Sequence, residues 1–63
     1  MSDKDKGLSL GAWAADELTG QRGYVVAIKH TLGAGDEVCL EWTANNGAPH
    51  RVWYPAGRVL VIE

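Results

Sequence analysis

Two short turn segments, LGAGD at 32–36 and ANNGAP at 44–49, cut this chain into runs too short for a useful helix. The runs between them favour strands. GYVVAIKH, 23–30, is rich in β-branched residues. EVCLEWT, 37–43, alternates with period two, so Val38, Leu40 and Trp42 share one face. Glu37, Cys39, Glu41 and Thr43 take the other. Asn46-Gly47 is a hairpin signal, because Gly supplies the positive φ that a tight two-strand connection needs. HRVWY, 50–54, forms a further short strand, YPAG turns the chain, and RVLVIE, 58–63, is the last strand.

The residues before Gly23 are less regular. Residues 1–6 are charged or polar apart from Met1 and read as a disordered lead. LSLGAWAADELTG, 8–20, offers either one helical turn over 12–18 or an irregular first strand that lays Trp13 across one end of the core. Residues 7–63 then make a single domain. At 63 residues its core is small. One cysteine, Cys39, excludes an internal disulfide, and no Cys/His cluster suggests structural zinc. Bulky side chains in a compact sheet, or burial shared between subunits, must make up the difference.

Short loops and antiparallel strands predict an all-β fold: a strongly bent five-stranded antiparallel sheet closing into a small barrel. Apolar residues stand on both faces of several strands. Val25 and Ala27 oppose Val26 and Ile28, Val59 and Val61 oppose Leu60 and Ile62, and Trp53 opposes Val52 and Tyr54. Strand bending, subunit packing through the outer face, or a peptide- or base-binding surface would each produce that pattern.

The formal charge is −2, which disfavours a nonspecific phosphate-backbone binder. No apolar leader and no window of membrane-spanning length is present, and the free thiol agrees with a cytoplasmic location. Cys39 has no neighbouring histidine or cation in sequence and reads as an inert thiol. His30 and His50 stand at strand ends without a third ligand, so no metal and no cofactor is expected. LGAGD lacks the GxxxxGK[ST] pattern of a nucleotide loop.

GQRGYVVAI, 20–28, resembles the glycine-then-strand opening of KOW-type SH3-like barrels. EVCLEW resembles the strand that ends in Trp in MIB/HERC2-type and Tudor-like barrels. The resemblance implies an SH3-like barrel over 20–62, and in Tudor-like members an aromatic cage for methylammonium. Trp13, Tyr24, Trp42, Trp53 and Tyr54 are the candidates for such a cage. RVWYP, 51–55, followed by Val59 and Ile62, is also similar in spacing to the last hairpin of type II dihydrofolate reductases. That resemblance implies oligomeric barrels around a shared pore and NADPH as cosubstrate. The family's ligand-holding glutamine and isoleucine fall on Val52 and Trp53, and its tyrosine on Tyr54.

Three functional readings follow. The first is a non-enzymatic interaction or assembly module that binds a protein partner or its own subunits. Its binding surface is Arg51, Trp53 and Arg58 with Tyr54, Lys29 and Arg22. The second is nucleic-acid binding, with Arg22, Lys29, Arg51 and Arg58 as a basic strip and Trp53 or Tyr54 stacking a base. The third is a reductase of the dihydrofolate type.

Overall fold

The turns form where the glycines stand, and Gly47 in the Asn46-Gly47 corner has φ +87°, a left-handed conformation that L side chains rarely adopt. The computed structural model describes residues 8–62; the expectation of a disordered lead at 1–6 lies outside them. Five strands follow one another: β1 (Trp13–Asp16), β2 (Arg22–Thr31), β3 (Gly35–Thr43), β4 (Pro49–Pro55) and β5 (Val59–Val61). A single 3-10 turn, Ala56–Arg58, joins β4 to β5. No helix among the described residues is long and apolar enough to cross a membrane.

All pairing is antiparallel, in the order β4-β3-β2-β1-β5. The all-β, five-stranded expectation holds, but the sheet is open, and the SH3-like barrel is corrected on that point. Closure requires the two edge strands to pair. Here β4 and β5 are consecutive in sequence yet lie at opposite edges. β5 has three residues, and β4 begins and ends on proline, which cannot donate to a ladder. The resemblances to KOW, MIB/HERC2, Tudor-like and type II reductase barrels fail with the closed barrel they imply. Partner binding inferred from that barrel loses its support too, and a functional reading must rest on the surface itself.

The core forms by curling. Ala14, Val25, Val38, Leu40, Tyr54 and Val59 make one buried cluster, so residues from both edge strands reach it without hydrogen-bonding to each other. Leu8, Ala12, Ile28, Trp42 and Ala56 pack around it. Val38, Leu40 and Trp42 face inward as the period-two pattern of β3 predicts. Leu40 is fully buried, a burial worth on the order of 2 kcal/mol.

Strict alternation fails in β2. The register shifts between Val25 and Ala27, because Val25 pairs with Leu40 while Ala27 pairs with Cys39. Val26 is the extra residue of a β-bulge. Val25 and Ile28 therefore share the core side, whereas plain alternation puts them on opposite faces. Close strand approach also constrains β2. A Cβ on Gly23 would stand 2.8 Å from the Glu41 carbonyl oxygen, so only glycine fits.

Candidate interaction surface

The cross-strand register sorts the outer face of the sheet into rows. One row runs Trp13, Tyr24, Glu41, Arg51 across β1 to β4. The next runs Ala27, Cys39, Trp53, and the third Lys29, Glu37, Pro55. Toward the β5 edge of the same face, Leu60, Ala15 and Arg22 align. Trp13, Tyr24, Val26, Trp53 and Leu60 are all exposed. The face thus carries three of the chain's aromatic side chains away from the core.

Local contacts hold these groups in place. The Trp13 and Tyr24 rings lie 4.7 Å apart between centroids, tilted by 58°, a favourable aromatic geometry. Lys29 Nζ sits 4.9 Å above the Trp53 ring centroid, within cation–π reach. Lys29 also meets Glu37 at 3.1 Å, and Arg51 meets Glu41 at 3.6 Å. The Lys29 and Arg51 cations that flank Trp53 are therefore each matched by a carboxylate.

The sequence-predicted residues divide. Arg51, Trp53 and Lys29 come together on this face, and Arg22 lies on the same face in the Leu60 row. Tyr54 faces inward and is 8% exposed. Arg58 is directed elsewhere, onto Asp16. Val52 and Trp53, the pair that the reductase resemblance sets against ligands, lie on opposite faces of β4. The five candidate cage aromatics split as well: Trp13, Tyr24 and Trp53 are outside, Trp42 and Tyr54 inside. Trp13 does not lie across the core.

Other titratable groups settle into small pairs. His30 Nδ1 is 2.9 Å from Asp36 Oδ1 at the β2–β3 turn. The His50 ring stacks on Trp42 at 6.0 Å, with 12° between planes. No group of three His, Cys, Asp or Glu residues that could hold a metal occurs among the described residues. Cys39 is buried even though it faces outward.

A buried charge cluster was missed by sequence reasoning. Asp16 is fully buried and accepts hydrogen bonds from Arg58 Nε (2.9 Å) and Nη2 (2.8 Å). It also accepts from Thr19 N–H (2.9 Å) and Thr19 Oγ1 (2.7 Å). The Arg58 hydrogen bonds, with smaller help from Thr19, outweigh burial and hold the Asp16 carboxyl down to about 2. The Asp-x-x-Thr spacing was a visible turn signal, but the partner at position 58 was not. Comparison with family models, with curated proteins and with solved structures gives no match.

Proposed function

We propose that the chain is a non-enzymatic interaction or assembly module that binds protein, a partner or its own subunits, through the outer face of its open sheet. One observation carries this reading: Trp13, Tyr24, Val26, Trp53 and Leu60 stand exposed along the outer face of the curled sheet. Apolar and aromatic surface of this kind marks association sites. Trp53, flanked by Arg51 and Lys29, has the composition of an interface anchor.

The charge arrangement favours protein over nucleic acid. Both cations beside Trp53 already have carboxylate partners, which leaves little uncompensated positive charge for a phosphate backbone. A cytoplasmic setting suits the single, buried, unpaired thiol.

Analytical ultracentrifugation of wild type and Trp53→Ala, alone and with candidate partners, tests the reading. Loss of association in the variant supports it. Association unaffected by the substitution sinks the anchor role. Strong, salt-sensitive binding of single-stranded RNA by the wild type would favour the nucleic-acid reading instead.

A further inference from the structure

The hydrogen-bond phase of β3 fixes which groups of β4 point outward. Val25 donates its N–H to the Ala12 carbonyl at 2.9 Å and accepts from Gly11 N–H at 2.7 Å. Both its amide groups are thus turned away from β3. Leu40, which faces Val25, therefore turns toward β4 and its partner Val52. The Ala44 N–H to Ala48 carbonyl bond of 2.9 Å at the hairpin end gives the same phase.

It follows that His50, Val52 and Tyr54 bond to β3, while Pro49, Arg51, Trp53 and Pro55 turn their backbone groups to the open edge. Proline has no N–H. The outward donors are those of Arg51 and Trp53 alone, bracketed by prolines at both ends of the strand. Among the described residues no strand pairs with this edge. Prolines at an edge limit where another strand can add; here they leave a window centred on Val52.

We propose that this window pairs with the same window of a second copy, β4 against β4 antiparallel, about a two-fold axis at Val52. The inference rests on the assembly reading above and specifies its geometry. In this register Arg51 lies opposite the second copy's Trp53, and Trp53 opposite the second copy's Arg51. Each such pair exchanges both backbone hydrogen bonds, and no available donor is left over. On the outer face each guanidinium meets an indole, a favourable cation–π pair. On the inner face the two Val52 side chains, 40% exposed in the single chain, come into direct contact.

Neighbouring registers use the same donors with worse side-chain pairing. Centring on Arg51 opposes two guanidinium groups, and like charges directly opposite destabilise a sheet. Centring on Trp53 sets Arg51 against proline. The window is self-complementary only about Val52, which is what an isologous interface requires. The product is one sheet continuous across two copies, with the two aromatic outer faces on one side.

Sedimentation over a concentration series, combined with Val52→Cys under mild oxidation, tests the register. The two cysteines would occupy a non-hydrogen-bonded pair with Cα atoms roughly 4.5 Å apart, inside disulfide range. A covalent dimer is expected for Val52→Cys and not for Leu60→Cys, which lies on the opposite edge strand. A synthetic chain with an N-methyl group on the Trp53 amide keeps every side chain and removes one outward donor per copy. Its dimerisation should weaken by about tenfold or more. A wild type that stays monomeric at high concentration overturns the ladder and leaves only a hetero-partner for the outer face. A dimer that neither cross-links at position 52 nor responds to N-methylation overturns the ladder alone.

Discussion

The Arg58 guanidinium reaches back 42 residues to hold the Asp16 carboxylate with two hydrogen bonds, at 2.9 and 2.8 Å. This contact ties the turn after β4 to the end of β1, beside the Asp16–Val59 pair of the β1–β5 ladder. Arg58 also lies 5.6 Å from the Tyr54 ring centroid, which links the pair to the core.

The pair makes stability depend on acid. Asp16 is lowered from 3.8 to about 2 in the folded chain. A depressed carboxyl stabilises the fold fully above its unfolded value and loses that contribution as pH falls through the folded value. Thermal unfolding followed by tryptophan fluorescence should therefore show a midpoint that drops between about pH 4 and pH 2. Asp16→Asn should flatten that part of the profile and lower the midpoint at pH 7. An unchanged profile would mean that Asp16 is not paired in solution.

Arg58→Ala should destabilise more than Arg51→Ala. The first leaves a buried carboxylate with Thr19 as its remaining partner, and an uncompensated buried charge is costly. The second breaks a looser pair at 3.6 Å whose arginine is largely exposed, worth under about 1 kcal/mol. Urea midpoints of the two variants provide the comparison, and equal midpoints would contradict it.

The strand content was legible in the sequence because β-branched runs and glycine turns act locally. Val38, Leu40 and Trp42 were assigned to the core side by alternation, and the structure places them there. Val25 and Ile28 were not, since a bulge at Val26 shifts phase without a glycine or proline to announce it. Closure was misread for a different reason. Pairing between edge strands depends on where the Ala56–Arg58 turn sends the chain, which no local pattern encodes. The outer face is half legible: Arg51 and Trp53 stand out together in the sequence, but of the two readings of 8–20, a helical turn or an irregular strand with Trp13 across the core, neither puts Trp13 on the outer face. Arg58 looked like part of the same basic-aromatic group, and its buried partner lay too far away in sequence to be seen.

Gly23→Ala should be disruptive despite its small size. The added methyl would meet the Glu41 carbonyl oxygen at 2.8 Å, a backbone atom that cannot swing aside. Forcing β2 and β3 apart at this point should cost about 1–3 kcal/mol, the usual range for overpacking. Gly57→Ala, where nothing lies within 4 Å of the new methyl and φ is not positive, should change the midpoint far less. Chemical denaturation of the two variants side by side measures the difference.

Cys39 faces outward yet is only 3% exposed. Its row neighbours are Ala27 on β2 and Trp53 on β4. Lys29 and Trp53 come from strands on either side of β3, and they meet at 4.9 Å. Neighbouring strands are about 4.8 Å apart, so these two side chains must lean over β3 to touch, and together they roof the thiol. Folded wild-type protein should therefore react slowly with an aromatic disulfide reagent. Trp53→Ala should speed that reaction by about tenfold or more, since access requires only the local opening that the indole prevents. Lys29→Ala should have a smaller effect, because it leaves the indole in place. A parallel urea titration separates local exposure from global unfolding. If all three proteins react at one rate under conditions where each is folded, the roof over Cys39 is not formed by Trp53.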